Sequence, residues 1–264
     1  MENKIITLLT DFGTKDGYVG SLKGELKRLC PEGEIIDITH AIDPYDVTGA
    51  AYVLNTYYES YPRDTVHLAV VDPGVGGSRR GIIIRTAHHF FVGPDNGLFR
   101  FVFDKEAYTA YEIDWEKAGL KAASKTFHAR DLFAPIAARL MRGISPERLG
   151  RKLDARTDYS FRFFSKTADG AYTVPAVAVD RFGNIISGFS QRDLERLNRK
   201  EVSSVTVGDF STDKLNRYYS EEKAGSLIVL WNSAGFLEIA EVEGNASKRL
   251  KFDRKKDQIR LTVS

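Results

Sequence analysis

Residues 66–80 read VHLAVVDPGVGGSRR. The nearly all-apolar run Val66–Val71 has the composition of a strand buried on both faces. It stops at an acid, Asp72, and a proline and three glycines then lead to two arginines. Working outward, Lys4–Thr10 (KIITLLT) is a short β-branched run followed by a turn at Asp11–Gly13 and a helical pattern through Leu29. Ile35–Ile38 predicts a strand, Val47–Glu59 a helix, Ile82–Arg85 and Phe90–Val92 two more strands, and Asp131–Arg142 a closing helix. This alternation predicts a mainly parallel, Rossmann-like α/β sheet domain over residues 1–158.

Beyond Tyr159 the pattern changes. Tyr172–Val179, Ser204–Val207, Gly225–Trp231, Phe236–Glu241 and Ile259–Val263 are strand-like runs separated by turns, with one helical insert at Ser190–Leu197. They predict a smaller C-terminal β-barrel domain over residues 170–264.

Composition bounds the function. The 264 residues carry 42% hydrophobic and 28% charged side chains, as an ordinary globular protein does. A formal net charge of +2, with lysines and arginines scattered among acids, argues against nucleic acid as the main partner. Cys30 is the only cysteine, which excludes an internal disulfide and a cysteine-based zinc site and fits a reducing cytoplasm. The N-terminal MENKIITLLTDFG reads as a first strand and not a signal peptide. No stretch approaches the roughly 20 apolar residues of a membrane span.

Ligands of open α/β sheets bind outside the carboxyl ends of the strands. Asp11 in LLTDFG, Asp72 in VVDPGVG and Asp95 with Asn96 in GPDNG all stand at such ends. Turn and cap chemistry explains any one of them alone, whereas three together point to a polar pocket. The GVGG stretch lacks the lysine and spacing of a phosphate-binding loop. Arg80 reads as a solvated surface charge, and Arg79 alone would read the same way. His67, His88 and His89 read as structural. His128, in KTFHARDLFAP, precedes a helix for which Asp131 is a candidate cap.

Six stretches, LTDFG, VVDPGVGGSRR, GPDNGLF, TFHARDLFAP, VDRFGN and WNSAGFLEIAEVEGNAS, run through nearly the whole chain. In that order they resemble the S-adenosylmethionine hydroxide adenosyltransferases, the adenosine-forming S-adenosylmethionine hydrolases related to fluorinase and chlorinase. The resemblance implies a water-activating triad of Asp72, Arg79 and His128, attack at ribose C5′, and release of methionine and adenosine. Gly77 and Ser78 stand where other members often carry threonine and an acid, and the spacing from Asp72 favours Arg79 over Arg80. Either Asp72 or His128 can take the proton of water. A sulfonium leaves as a neutral thioether, so no cofactor and no metal is expected.

The resemblance also implies that Asp180, Asn184 and Ser233 bind the methionine amino and carboxylate groups, with Phe182 packed nearby. It implies that the backbone of Asn245 and Ala246 meets the adenine edge and that Asp11 binds the ribose hydroxyls. Tyr45 and Phe127 would line the ribose pocket. A homotrimer with sites shared between subunits follows from the same source. Two other readings use the same substrate: a halogenase and a non-catalytic sensor. Asp72 would repel a halide about 4 Å away by roughly 4 kcal/mol at an effective dielectric of 20. Halogenases carry a neutral residue there and a serine where this chain has Ala129, and a sensor has no use for a water-activating set.

Overall fold

The computed structural model describes residues 4–120, 124–154 and 164–264. The chain divides into two compact units, Met1–Tyr159 and Ser160–Ser264. The expected end of the first domain, at residue 158, lies outside the described residues.

The first unit is built on seven strands: β1 (Ile5–Thr10), β2 (Glu34–Thr39), β3 (Val66–Val70), β4 (Gly81–Arg85), β5 (Phe90–Pro94), β6 (Thr109–Ile113) and β7 (Gly150–Lys152). They lie in the order β2-β1-β3-β5-β4-β6-β7. β1, β2, β3 and β5 are parallel. β4, β6 and β7 are added antiparallel, so the sheet is parallel on one side only. The reason lies between β4 and β5: Thr86–His89 form a tight turn in which Thr86 Oγ1 accepts from the His88 and His89 N–H groups. A parallel return needs a crossover of a dozen or more residues, and this turn is far too short for one.

Helices cover both faces. α1 (Tyr18–Leu29) turns Leu22 and Leu26 into a core shared with Ile6, Leu8, Leu68 and Val70. α2 (Val47–Tyr57) is capped by Asp46, whose Oδ1 accepts from Gly49 N at 3.0 Å. It continues into a 3-10 turn at Tyr58–Ser60, which accounts for the full extent expected to Glu59. A short α3 (Arg100–Lys105) packs against α2. The last helix enters through a π-helical turn, Ala129–Phe133, before α4 (Ala134–Met141). Asp131 therefore lies inside the turn and is no cap; its carboxylate takes the Arg130 guanidinium at 2.7 and 3.1 Å.

The second unit is a nearly closed antiparallel barrel. Its strands are β8 (Ser165–Lys166), β9 (Tyr172–Val179), β10 (Ile185–Ser190), β11 (Val202–Val207), β12 (Phe210–Thr212), β13 (Leu227–Trp231), β14 (Phe236–Glu241) and β15 (Gln258–Val263). The order is β12-β11-β15-β9-β10-β14-β13, with β8 on β9. Beyond β12 the chain returns so that Asn216 N donates to Val229 O at 2.7 Å, drawing the two ends of the sheet together. Alternate residues of β14, Leu237 and Ile239, point into the barrel core with Val174, Phe189 and Val229. The helical insert is α5 (Gln191–Arg196), started by a Ser190–Asp193 capping box. A further short helix, α6 (Ala246–Arg249), follows β14.

Candidate active site

The parallel strands of the first unit deliver their carboxyl ends side by side. Asp11 follows β1, Asp72 is the second residue after the adjoining β3, and Pro44 and Tyr45 belong to the loop after β2. Together with Phe127 and His128 they line a pocket of about 290 Å³. It occupies the crevice that sheet topology favours for ligands.

Asp72 and His128 line the pocket, and Arg79 joins them from behind. Arg79 Nε donates to both oxygens of Asp72, at 3.0 and 2.9 Å, and Arg79 Nη2 also bonds Asp72 Oδ2. The same Nη2 donates to Nδ1 of His128 at 2.8 Å. Guanidinium has no lone pair to offer, so His128 Nδ1 is the acceptor and the proton of the neutral ring sits on Nε2. Burial, followed by the Arg79 charge, lowers the His128 pKa from its ordinary value and keeps the ring neutral. The pair is well shielded, with Asp72 and Arg79 side chains only 5% and 12% exposed. Phe133 lies beneath the guanidinium at 5.3 Å and Trp115 meets the His128 ring edge-on at 5.7 Å, so both cationic and neutral members are fixed from behind.

Two loops from distant parts of the chain have to touch for this to happen. Gly76 adopts φ +79° against the backbone of Lys125, and a Cβ there would fall on the Lys125 carbonyl oxygen. Only glycine meets both demands. Asp11 plays a local role too: its Oδ2 accepts from Tyr45 N at 2.9 Å, holding Tyr45 at φ +69° with the residue 73% exposed. Such a conformation is strained for a tyrosine and is held by its surroundings. Phe12, Tyr18 and Phe127 also line the pocket and pack with centroids 5.4 to 6.1 Å apart, Phe127 edge-on to the other two rings. Phe12 and Tyr18 were not expected from sequence, where they read only as part of the turn and first helix.

Asp95, Asn96 and Arg80 depart from expectation. Asp95 and Asn96 do not line the pocket. Arg80 is not a solvated charge, since its Nε and Nη2 donate to Asp95 Oδ2 at 3.0 and 2.6 Å. Asn96 Nδ2 donates to the Val71 carbonyl at 2.8 Å. The groups they hold, the Val71 carbonyl and Arg80, are the immediate neighbours of Asp72 and Arg79 in sequence.

In the second unit, Asp180–Asn184 is the β9–β10 hairpin loop. Asp180 Oδ1 accepts from the Phe182 and Asn184 N–H groups, both at 2.9 Å, and Oδ2 accepts from Asn184 Nδ2 at 3.0 Å. Phe182 is left 72% exposed. Gly183, at φ +88°, lies hard against the Asn245 side chain, and its carbonyl accepts from Ser247 N at 2.9 Å, so Asn245 and Ala246 gather at this loop. Asn245 caps α6 through Lys248 N, and its own N–H is engaged by Glu241 Oε2 at 2.9 Å. The Ala246 side chain is fully buried in the barrel core.

Ser233 lies elsewhere. It is exposed in the β13–β14 turn, where Asn232 Oδ1 accepts from Ala234 N and Phe236 N. Register pairs Ile185 with Ile239 but Ser190 with Phe236, so Ser233 stands at the opposite end of β14 from Asp180–Asn184, by roughly 10 Å of strand. Between the two ends lies Glu238, 3% exposed, accepting from the Tyr219 hydroxyl at 2.6 Å. Burial, with Asp180 adding to it, raises its pKa. A lone acid in an apolar strand offers no sequence signal for such a place.

Among the described residues, no three His, Cys, Asp or Glu side chains gather as metal ligands, and no helix is long and apolar enough to cross a membrane. The model of the SAM hydroxide adenosyltransferase N-terminal domain matches residues 6–150, and that of the C-terminal domain residues 175–259. An (R)-S-adenosyl-L-methionine hydrolase of Methanocaldococcus jannaschii is 37% identical over 260 residues, covering 94% of this chain and 92% of its own. One from Thermus thermophilus is 33% identical, covering 93% and 94%. A fluorinase of Nocardia brasiliensis is 26% identical over 89% of each chain. An uncharacterized conserved protein from Thermotoga maritima superposes with a TM-score of 0.82 at 36% identity, covering 97% of this chain and 99% of that one. Matched in both halves and along nearly its whole length, the chain belongs to the SAM hydroxide adenosyltransferase family.

Proposed function

We propose that the protein is an enzyme that hydrolyses S-adenosyl-L-methionine to adenosine and L-methionine. The observation that carries the reading is a single guanidinium, Arg79, joining Asp72 to His128, two residues that line a pocket at the strand ends, within a chain whose curated relatives are named (R)-S-adenosyl-L-methionine hydrolases.

Water attacks C5′ of the ribose, the C5′–S bond breaks, and its electron pair leaves on sulfur as the neutral thioether of methionine. Because His128 Nδ1 already accepts from Arg79, the geometry favours Asp72 as the base that takes the proton of water and returns it to solvent. Arg79 then steadies the developing hydroxide, and neutral His128 orients the guanidinium. Asp11 and Tyr45 face the ribose, and Phe127 packs beside it. From the second unit, Asp180, Phe182 and Asn184 contribute with Asn245 and Ala246 at one end of β14, and Ser233 at the other. A halide is disfavoured in a pocket lined by the acid Asp72 and by Ala129.

The reading includes no cofactor and no metal, because the sulfonium is already activated for departure. It also includes a cytoplasmic setting, supported by the lone Cys30, and a homotrimer with shared sites, supported by the resemblance alone. Incubating the pure protein with S-adenosyl-L-methionine and a chelator should yield adenosine and methionine in equal amounts by chromatography. A strict need for a divalent metal would overturn the mechanism. Mixing Asp72→Ala chains with Asn184→Ala chains should restore activity if subunits share sites; no rescue in mixed trimers refutes the sharing.

A further inference from the structure

Asp72 and Arg79 lie at the two ends of one glycine-rich loop, between β3 and β4. Three glycines and a proline do not fix the separation of its ends. The strand that runs between β3 and β4 in the sheet is β5, and the two residues after it are Asp95 and Asn96. They grip the loop at both roots. Asn96 Nδ2 donates to the carbonyl of Val71, the residue directly before Asp72, at 2.8 Å. Asp95 takes the guanidinium of Arg80, the residue directly after Arg79, at 3.0 and 2.6 Å, and Asp95 N donates to the Arg80 carbonyl at 2.9 Å. Asn96 Oδ1 in turn accepts from Leu98 N at 3.3 Å, and the Asp95 side chain is only 5% exposed, so the gripping groups are themselves held.

We infer that Asn96 and the Asp95–Arg80 pair are positioning residues, a clamp from β5 that sets the distance between Asp72 and Arg79 and so the reach of Arg79 to His128. The inference rests on the hydrolase reading for its kinetic consequence but not for its geometry. None of the three touches the pocket. They act through backbone atoms adjoining the acid and the guanidinium, where an error of about 1 Å costs on the order of 100-fold in rate.

The test compares Asn96→Ala and Asp95→Asn in the parent and in an Asp72→Asn background. In the parent each lowers kcat by roughly 10- to 100-fold and leaves KM within about twofold, since the substrate contacts are untouched. In the Asp72→Asn background neither lowers kcat further, because the geometry it protects no longer serves a base. Nitrogen NMR of the His128 ring supplies a readout independent of turnover. The parent shows Nδ1 as a hydrogen-bonded acceptor with the proton on Nε2, and the clamp variants shift toward a mixture of tautomers. Parental kcat and an unchanged His128 signal in a folded variant overturn the clamp, as does an equal fractional loss in both backgrounds, which marks a general structural defect. Should Asn96→Ala fail to fold, the near-isosteric Asp95→Asn decides alone. A parent protein that does not cleave S-adenosyl-L-methionine refutes the function instead, and the His128 signal still judges the clamp.

Discussion

Asp72 and Asp180 begin alike. Each follows an apolar strand ending in valine, and each enters a turn that contains glycine. Their oxygens end differently. Asp180 closes on its own turn, accepting from Phe182 N, Asn184 N and Asn184 Nδ2, all within four residues. Asp72 instead takes a guanidinium, which reaches on to a histidine 49 positions beyond it. Local closure is the mark of an aspartate that shapes backbone, because short-range side-chain bonding competes only with nearby groups. Recruitment of a distant neutral ring through a shared cation organises charge for chemistry.

The sharpest way to break this contrast is Asp72→Asn. It keeps size and hydrogen bonding but removes the charge, and is expected to lower turnover by roughly 100- to 10,000-fold. Calorimetry should find S-adenosyl-L-methionine binding nearly as in the parent. Near-parental turnover would make Asp72 another turn residue and dissolve the difference. Asp180→Ala should behave in the opposite sense: KM rises, kcat changes little, and stability falls by about 1–3 kcal/mol as the hairpin loses its acceptor. A collapse of kcat with unchanged KM and melting temperature would give Asp180 a chemical role.

Smaller effects come from pH. His128 is held neutral below its usual titration range, so the acid limb of kcat should fall below pH 6.5, where protonation would evict the Arg79 bond. A limb above that value contradicts the arrangement. His67 sharpens the comparison from the far end of β3. It is fully buried, its Nδ1 shares a 2.8 Å bond with Thr7 Oγ1, and burial lowers its pKa well below 6.5. An unfolded chain takes up the proton that the folded one refuses. Stability is therefore complete above about pH 6.5 and is lost as pH falls through it, by at most ~1.4 kcal/mol per pH unit for this one group. Urea melts at pH 7 and pH 5 check the slope, and His67→Gln should flatten it by about one proton.

What sequence revealed of all this follows the range of each signal. The apolar runs of β1, β3, β9 and β14 are local and were legible almost to the residue. The antiparallel step at β4–β5 was legible in principle, since four residues do not hold a crossover helix, but strand alternation outweighed it. β10 escaped notice because Ser187 and Gly188 interrupt it and a bulge follows Ile186. The approach of Arg79 to His128 has no periodicity to announce it and was anticipated only through resemblance. Resemblance likewise grouped Ser233 with Asp180 and Asn184, a grouping that no local pattern in these two turns announces.

Gly76 gives the site an unusual point of failure. It contributes no side chain to the pocket and carries no charge, yet it is where the loop bearing Asp72 lies flush on the segment leading to His128. A single added methyl would have to drive those segments apart, and strain the backbone as well. The strands and the core lie outside that contact. A substitution at this position would act at a distance, through the spacing of two loops and not through any group that meets the substrate.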